Sequence, residues 1–393
     1  MKGVAILGAT GSIGTATLSV LRRHSERFHV TALSANRNWQ DLDKLAVEFK
    51  PNFVALSSVP PAEFEPQWEG EWRYGSEAVE AAARGAETDI VLNAIMGVVG
   101  LGPSLAALEA GKRLALANKE SLVVGGTLLL DALDHGSGEL LPVDSEHSAI
   151  HQCLNGRPFD EIRRITLTAS GGPFRTWSKE ALVDIRPSDA LRHPTWDMGA
   201  KITIDSATLA NKAIEVIEAH ALFGVDFDQI GVVVHPTSIA HSFVEFHDGS
   251  CLGQLGRPTM ETPILWALGC PERIEDSGDN HSFNPLRDGP LEFEAVRNED
   301  FPLFDAGVAA GRVGGELPIA FNAANEVAVS AFLEERVSFT ELVDVVLCTL
   351  ERFSGRAVLS VEDIWKVDAR ARRFSKETVH ALRAGATIEA RAK

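Results

Sequence analysis

The chain has few cysteines and no long apolar run, and each shortage excludes a class of protein. Its four cysteines, Cys153, Cys251, Cys270 and Cys348, are scattered over 393 residues without a C-x-x-C pair. This pattern argues against a disulfide framework and favours a reducing compartment. No apolar stretch approaches the roughly 18–20 residues of a membrane span. The strand-like segment KGVAILGATG begins at residue 2 and leaves no room for a signal peptide, so we expect a soluble cytoplasmic protein.

Positive charge is also scarce. Lysine and arginine together number 37 against 55 aspartates and glutamates, for a net charge of −18. We therefore expect no general surface for nucleic acid or for an anionic membrane, although a local basic site can still bind a small phosphorylated molecule. Hydrophobic residues make up 45% and charged residues 23%, which is ordinary for a globular protein, and the length suffices for two or three domains.

The first part of the chain alternates short apolar runs with helix-like stretches. The runs typical of buried parallel strands are GVAILG, HVTALS, FVALS, DIVLNAI and RLALA. The stretches between them that favour helices are GTATLSVLRRH, WQDLDKLAVEF and GPSLAALEAG. This rhythm predicts a doubly wound, Rossmann-like α/β domain over residues 1–143.

The pattern then changes twice. Residues 144–270 contain four longer strand-like runs, RRITLTAS, QIGVVVH, AHSFVEFHDGS and CLGQLG, with two helical stretches inserted. They predict an α+β domain built on one mixed or antiparallel sheet. Residues 271–300, rich in Pro, Asp, Asn and Glu, predict a linker. Residues 301–393 predict a helical domain, with AFNAANEVAVSAFLEE, TELVDVVLCTLERF and KETVHALRAG as its helices.

The segment GATGSIG places three glycines, Gly8, Gly11 and Gly14, at the first strand-to-helix turn. Glycines there let the backbone approach a pyrophosphate, and the N-terminus of the following helix supplies free N–H groups and a positive dipole. The preceding strand and following helix are the context that a dinucleotide site requires. The alternative is a tight turn that binds no ligand.

The end of the second strand separates the two nicotinamide cofactors. An NAD site usually has an acid there for the ribose hydroxyls. Here the strand ends in ANRNWQ, with Arg37 between Asn36 and Asn38 and no acid. A guanidinium and two amides suit a 2′-phosphate better than a diol, so we expect NADPH. The alternative is that Arg37 is a solvated loop residue.

Two acids follow the apolar run in LLPVDSEHSAI, residues 140–150. If the segment stays extended, Asp144 and Glu146 point the same way and converge on one spot beyond the strand. Two close carboxylates repel each other unless a proton or a cation lies between them, and an all-oxygen pair suits Mg²⁺ or Mn²⁺. The alternative is a solvated pair of acids.

The segment DSATLANKAIEVIEAH, residues 205–220, strengthens the case for a metal. Asp205 or Ser206 is a predicted N-cap for a helix on which Asn211, Lys212 and Glu215 share one face. Such a face can contact a phosphate at one end and a metal at the other. The alternative is a surface Lys–Glu pair on an ordinary amphipathic helix.

Two further stretches are unusual for purely structural segments. TASGGPF follows a strand with Ser170 and two glycines, which is typical of an oxyanion or phosphate loop. RHPTWDMGAK, residues 192–201, contains His193, Trp196, Met198 and Gly199 with little periodicity. That composition predicts a lid that closes over a ligand, with a packed core loop as the alternative.

Together these segments closely resemble the 1-deoxy-D-xylulose 5-phosphate reductoisomerase family, NADPH enzymes early in the non-mevalonate isoprenoid pathway. The resemblance covers essentially the whole chain and rests on GATGSIG, ALANKESLV, LLPVDSEHSAI, LTASGGPF, HPTWDMGAKITIDSATLANKAIEVIEA, HPTSIAHSFVEFHDGS, QLGRPTM and NAANEVAV. It implies an N-terminal dinucleotide domain, a central catalytic domain, a C-terminal helical domain and a homodimer. It also implies the conversion of 1-deoxy-D-xylulose 5-phosphate to 2-C-methyl-D-erythritol 4-phosphate, by a metal-assisted rearrangement and then hydride transfer.

The resemblance also implies roles for individual residues. The implied metal ligands are Asp144, Glu146 and Glu215. The implied substrate contacts near the metal are Ser145, Glu146 and Glu215, and those at the phosphate are Ser170, Ser206, Asn211 and Lys212, with His193 close by. Trp196, also a substrate contact, and Met198 match the lid. The implied cofactor contacts are Thr10, Gly11, Ser12, Ile13, Asn36, Arg37, Asn38, Asn118, Glu120, Met198 and Gly199. Lys119 matches a catalytic lysine between cofactor and substrate.

One departure from the family pattern is visible, because family members often have glycine where Asn36 stands. Asparagine tolerates a positive φ better than most residues, so we expect the loop to keep its shape.

The sequence does not fit the rival functions that a glycine-rich first turn allows. Short-chain reductases and sugar epimerases require a Tyr and a Lys four residues apart, but the only tyrosine is Tyr74 and position 78 is Ala78. Semialdehyde dehydrogenases require a cysteine nucleophile, and the acids beside Cys153 disfavour a thiolate. A regulator that only senses the nicotinamide cofactor has no use for the DSE segment and its partner helix.

Overall fold

The computed structural model describes residues 1–277 and 282–385. It confirms the α/β class and the order of strands and helices expected from the apolar pattern. Eleven strands lie in the described residues: β1 (Lys2–Leu7), β2 (Phe28–Ala35), β3 (Phe53–Leu56), β4 (Glu71–Tyr74), β5 (Ile90–Asn93), β6 (Arg113–Leu116), β7 (Glu139–Pro142), β8 (Ile162–Ala169), β9 (Ile230–Val234), β10 (Ala240–Phe246) and β11 (Cys251–Leu255).

The α-helices of the described residues number fifteen: α1 (Ser12–Arg23), α2 (Trp39–Phe49), α3 (Ser76–Arg84), α4 (Leu101–Glu109), α5 (Lys119–His135), α6 (Ser145–Leu154), α7 (Pro187–Ala190), α8 (Ala200–Ala207), α9 (Ala210–Phe223), α10 (Glu261–Gly269), α11 (Pro285–Asp288), α12 (Pro302–Val313), α13 (Glu316–Leu333), α14 (Phe339–Leu350) and α15 (Val361–Arg383). One of them, α5, is kinked at Gly125, which has non-helical backbone angles. Across the described ranges, no helix combines the length and the apolar character that crossing a membrane requires.

The chain divides into two units. The first comprises residues 1–122, 126–156 and the described part of 259–282. The second comprises residues 123–125, 157–258 and the described residues from 283 onward.

The first unit is built on a seven-stranded parallel sheet in the order β4-β3-β2-β1-β5-β6-β7. This confirms the predicted doubly wound domain. The chain order reverses beside β1, which pairs with β2 on one side and β5 on the other, and ligands of such folds bind at the carboxyl ends of the strands near this point.

The central strands β1, β3 and β5 are apolar on both faces, and nearly all of their residues are buried. Val4, Ile6 and Leu7 of β1 are fully buried, as expected of a central parallel strand. Helix α10 packs into the same core, where Trp266 donates a hydrogen bond from Nε1 to His151 Nδ1 of α6 at 3.1 Å. The late segment that carries α10 therefore belongs to the packing of the first unit.

The second unit contains a four-stranded sheet in the order β11-β10-β8-β9. Strands β8 and β9 run parallel and the other pairs antiparallel, so the predicted sheet is a mixed one. The remainder is helical from α12 onward, as predicted, and α13 is buried along most of its length.

The predicted linker contains some regular structure in its described part. Helix α11 lies within it, and Glu294 forms an antiparallel bridge with Val234 of β9. Residues 278–281 of the predicted linker and residues 386–393 of the predicted helical domain lie outside the described residues.

The four cysteines are free thiols, as expected.

Candidate active site

The glycine turn between β1 and α1 is as tight as its sequence suggests. Gly8 has a φ of +87°, and a Cβ at Gly14 would lie 2.4 Å from the carbonyl oxygen of Gly8. Helix α1 starts at the exposed N-cap Gly11, without a side-chain cap and without an acid in its first turn. The first N–H groups of α1 therefore keep their positive character for an anionic ligand.

Of the residues that follow β2, Asn38 has a structural role and Arg37 has a solvent-exposed side chain. Asn38 caps α2, because its side chain accepts a hydrogen bond from the backbone N–H of Asp41 at 3.2 Å. Arg37 is exposed. Asn36 is not among the described non-glycine residues with a positive φ, so asparagine causes no backbone strain there.

The two acids of the DSE segment do not lie on an extended strand, and this part of the sequence-based prediction is wrong. Strand β7 ends at Pro142, and α6 begins at Ser145 with Asp144 as its N-cap. The Asp144 side chain accepts from the backbone N–H of Glu146 at 3.2 Å. An aspartate at this position satisfies a free helix N–H, which favours helix over a continued strand. The two carboxylates are nevertheless close, because one oxygen of Asp144 lies within 4.8 Å of one oxygen of Glu146.

Three further side chains surround this acidic helix start. Lys119 Nζ lies 2.7 Å from Asp144 Oδ2. His147, which is fully buried, places Nδ1 2.8 Å from Asp144 Oδ1. Ser145 Oγ donates to Glu146 Oε2 at 2.7 Å. His147 was missed from the sequence, although its place three residues after a helix-capping acid is a signal for such a contact.

The predicted residues at the start of α5 form part of the same sheet edge. Asn118 caps α5 and donates from Nδ2 to Glu120 Oε2 at 2.9 Å and to the carbonyl of Gly97 at 3.1 Å. Because the strands are parallel, the segments after β1, β6 and β7 all leave this one edge. The glycine turn, Lys119 and the two acids are therefore brought to the same edge of the first unit. Oxygen donors of this kind, crowded and negatively charged, fit a hard divalent cation.

The loop after β8 approaches another backbone segment closely, in a conformation that glycine adopts without strain. Gly171 and Gly172 have φ values of +82° and +66°, and a Cβ at Gly172 would lie 2.6 Å from the carbonyl oxygen of Ser206. Ser170 Oγ lies 2.9 Å from His193 Nε2. The structure thus brings Ser170, His193 and the backbone of Ser206 together within the second unit.

The hydrogen bonds of His193 define its protonation. Nδ1 accepts from the backbone N–H groups of Thr195 and Trp196, at 3.2 and 2.9 Å, so the neutral ring carries its proton on Nε2 and donates to Ser170. Burial lowers the pKa of His193 to about 4, which keeps the ring neutral at physiological pH. His193 therefore ties the start of the predicted lid to the Ser170 loop.

The predicted lid is an irregular segment up to Gly199, after which α8 begins. Trp196 and Met198 are half-buried, and Thr195 Oγ1 donates to the carbonyl of Pro236 at 3.0 Å. The lack of periodicity in this segment correctly indicated a loop.

The prediction that Asp205 or Ser206 caps a helix is wrong. Both lie inside α8, whose N-cap is Gly199, and α9 begins only at Ala210. Leu209, in the left-handed conformation with a φ of 58°, separates the two helices. A local pattern of apolar residues continues across this break, so the sequence suggested one helix.

The face shared by three residues of α9 is confirmed. Asn211 Nδ2 and Lys212 Nζ both donate to the carboxylate of Glu215. Lys212 is 5% exposed and Glu215 is 1% exposed, so the alternative of a surface Lys–Glu pair is excluded. Burying such charges is unfavourable unless a partner compensates for it, and here Lys212 and Glu215 compensate each other.

Comparison with known proteins identifies the family. Residues 4–126 match the family model described as 1-deoxy-D-xylulose 5-phosphate reductoisomerase. Residues 140–223 match the 1-deoxy-D-xylulose 5-phosphate reductoisomerase C-terminal domain, and residues 255–374 match the DXP reductoisomerase C-terminal domain. The 1-deoxy-D-xylulose 5-phosphate reductoisomerase of Bacillus cereus (strain Q1) is 45% identical over 96% of this chain and 100% of its own length. The protein of the same name from Chloroherpeton thalassium is 44% identical, with 98% and 100% covered.

Solved structures agree with the sequence comparison. The Zymomonas mobilis enzyme in complex with NADPH is 40% identical, with a TM-score of 0.88 over 97% of this chain and 99% of that one. A DOX-P reductoisomerase in complex with NADPH, fosmidomycin and magnesium is 37% identical, with a TM-score of 0.89 and the same coverage. The chain, with its glycine turn, acidic helix start and buried Lys–Glu pair, belongs to the 1-deoxy-D-xylulose 5-phosphate reductoisomerase family.

Proposed function

We propose that this protein converts 1-deoxy-D-xylulose 5-phosphate to 2-C-methyl-D-erythritol 4-phosphate, with NADPH as the reductant and a divalent metal ion as cofactor. The observation that carries this proposal is the pairing of the open glycine turn at α1 with the acidic start of α6 at one sheet edge, in a chain 45% identical to a named family member over 96% of its length. The reaction places the protein in the synthesis of isoprenoid precursors.

NADPH is the cofactor that suits the first unit, and a related structure contains it. In our proposal its pyrophosphate lies against the N-terminus of α1, in contact with Thr10, Gly11, Ser12 and Ile13. The exposed Arg37 meets the 2′-phosphate. Contacts from the following residues complete the proposed cofactor site: Asn36, Asn38, Asn118, Glu120, Met198 and Gly199.

The proposed ligands of Mg²⁺ or Mn²⁺ are Asp144, Glu146 and Glu215. The chemistry that such an ion supplies when bound is Lewis-acid stabilisation of negative charge on the substrate's oxygens. Asp144 is held for this role by its cap on α6, and Ser145, next to it, hydrogen-bonds the substrate hydroxyls. Lys119, 2.7 Å from Asp144, supplies a positive charge between substrate and cofactor.

The substrate phosphate is the proposed ligand of the second unit. Ser170, Ser206, Asn211 and Lys212 hold it, with His193 keeping Ser170 in position through the 2.9 Å hydrogen bond. Trp196 and Met198 lie in the lid that closes over the substrate. Phosphate contacts take no part in bond breaking, so their binding energy is available to hold the lid closed and to orient the reacting carbons.

Location, assembly, partners and domain organisation complete the proposal. The protein acts in the cytoplasm as a homodimer, binds no nucleic acid and associates with no membrane. Its functional divisions are a cofactor domain (residues 1–143), a catalytic domain (144–270) that contains the lid (192–201), a linker (271–300) and a helical domain (301–393).

The direct test is NADPH oxidation, followed at its near-ultraviolet absorbance, with 1-deoxy-D-xylulose 5-phosphate as substrate. We expect turnover with Mg²⁺ or Mn²⁺, loss of turnover with a chelator and recovery when the ion is restored. Tight NADPH binding without turnover under any metal condition would support a cofactor-sensing regulator instead.

A further inference from the structure

A buried polar contact joins the helical end of the chain to the residue before Ser206. Asp205 is 1% exposed, and its carboxylate contacts two side chains of the second unit. Asn325 of α13 donates from Nδ2 to Oδ1 at 2.8 Å. Lys201, at the end of the predicted lid segment, places Nζ 2.8 Å from Oδ2. One carboxylate thus connects α8, the end of the lid and a helix that begins more than a hundred residues later.

The orientation of the Asn325 amide follows from chemistry. An ionised carboxylate only accepts hydrogen bonds, so the NH₂ group of Asn325 must face Asp205. The other amide atom, Oδ1, is then buried without a hydrogen-bond partner among the described residues. An unsatisfied buried acceptor destabilises the folded state.

The contact acts on a residue of the proposed phosphate site. Ser206 directly follows Asp205 in the last turn of α8, and its carbonyl oxygen packs closely against Gly172 of the Ser170 loop. The left-handed Leu209 follows, and α9 then starts with Asn211 and Lys212 in its first turn. A rotation or fraying of the end of α8 would therefore move Ser206 relative to the other phosphate contacts.

We propose that Asn325, acting through Asp205, is a positioning residue for the substrate phosphate site: it fixes the last turn of α8 and with it the hydroxyl of Ser206. This inference rests on the proposed function, in which Ser206, Asn211 and Lys212 bind the phosphate. It extends the site to the C-terminal helical segment, which has no other assigned part in the reaction.

The first test is the kinetics of Asn325→Ala. We expect the KM for 1-deoxy-D-xylulose 5-phosphate to rise about tenfold, the size of effect of a lost hydrogen bond to a charged group, with kcat and the KM for NADPH within about twofold of wild type. Asn325→Leu removes the same donor without leaving a large cavity, so it should raise the KM alike if the alanine variant does not fold.

Asn322→Ala is the matched control. Asn322 lies one helical turn earlier on α13, is fully buried, and also has an Oδ1 atom without a partner among the described residues. Its Nδ2 donates to Glu326 at 3.0 Å instead of to Asp205. We expect a similar drop in Tm with a wild-type KM. Equal increases in KM for the two variants would show that general destabilisation of α13 is responsible, and the proposal would be overturned.

A double-mutant cycle tests the route through Ser206. If Asn325 acts by placing this hydroxyl, Asn325→Ala should add little to the KM of Ser206→Ala. Independent, multiplicative effects of the two substitutions would contradict the proposal.

Single substitutions separate this inference from the proposed function. An increased KM for Ser206→Ala and Lys212→Ala, with no change for Asn325→Ala and Asn325→Leu, would refute the positioning role alone. Wild-type KM values for both Ser206→Ala and Lys212→Ala would refute the phosphate assignment and the positioning role with it.

Discussion

Two helices of the first unit start at the same sheet edge with opposite electrostatics. Helix α1 begins at Gly11 with no side-chain cap and no acid in its first turn. Helix α6 begins at Asp144, whose carboxylate accepts from the N–H of Glu146, and Glu146 adds a second negative charge in the first turn. The positive end of the helix dipole is left open at α1 and is more than balanced at α6. A helix N-terminus therefore suits an anion at α1 and a cation at α6.

The start of α9 in the second unit resembles that of α1. Its N-cap, Leu209, provides no side-chain cap, and the first turn has no acid but contains Lys212. This start suits an anion, in agreement with the proposed phosphate site. The side chains at the first few positions thus decide which ligand each helix start favours.

The largest effect is expected from neutralising the acids. Asp144→Asn or Glu215→Gln should lower kcat by roughly a thousandfold, because Lewis-acid stabilisation contributes several kcal/mol to the barrier. Asparagine is as good an N-cap as aspartate, so Asp144→Asn should leave α6 and the Kd for NADPH intact. Steady-state NADPH oxidation and cofactor titration measure the two quantities. A variant that keeps most of its activity would remove that residue from the metal site.

Lys212→Ala should lower kcat/KM by several hundredfold, since losing one member of a buried charged pair costs about 2–5 kcal/mol. KM should rise, and kcat should fall too if phosphate binding drives lid closure. Lys212→Arg is not expected to restore activity, because a planar guanidinium does not replace a compact ammonium in a buried site. Titration with Mn²⁺ separates the roles: altered Mn²⁺ affinity with a wild-type KM would mean that Lys212 serves the metal site instead.

Gly11→Asp converts the start of α1 into one like that of α6. The φ and ψ of Gly11, −84° and 174°, allow a side chain, and its Cβ would meet only the carbonyl of Gly8 at 3.4 Å. We expect an unchanged or higher Tm through N-capping, with NADPH binding weakened on the order of a hundredfold by charge repulsion. Gly11→Ser, an uncharged cap, is the control and should lose much less affinity. Equal losses for the two variants would mean that side-chain bulk matters rather than charge.

Arg37→Ala should weaken NADPH more than NADH, because only NADPH has a 2′-phosphate. A lost charge-assisted hydrogen bond corresponds to about tenfold to a hundredfold in Kd. Fluorescence titration with both cofactors measures the ratio. If the two Kd values change equally, Arg37 contacts a part that the cofactors share, or remains a solvated loop residue.

Local sequence patterns indicated most strands and helices but not how the site's segments begin and end. Strand β4 was missed because this short, partly exposed segment, EWRY, lacks an apolar run. Asp144 was placed on a strand because the apolar LLPV run hides the break at Pro142, where capping favours a helix. The contact between Asp205 and Asn325 joins residues 120 positions apart, so no local pattern could predict it. Residue types suggested the chemistry, whereas caps and long-range contacts determined the geometry.

The smallest expected effect concerns the pH dependence of stability. The half-buried His193 ring, with Nδ1 accepting from Thr195 and Trp196, has its pKa lowered by desolvation from 6.5 to about 4. The unfolded chain then binds more protons than the folded protein as the pH falls from 6.5 towards 4, so the stabilising contribution present above pH 6.5 is lost over this range. Urea unfolding should show that wild type loses more free energy of unfolding between pH 7 and pH 5 than His193→Asn does. The difference should be roughly 1 kcal/mol or less, because solvent screens the partly exposed ring. A pH-independent difference between the two proteins would mean that the fold does not hold His193 in its neutral form.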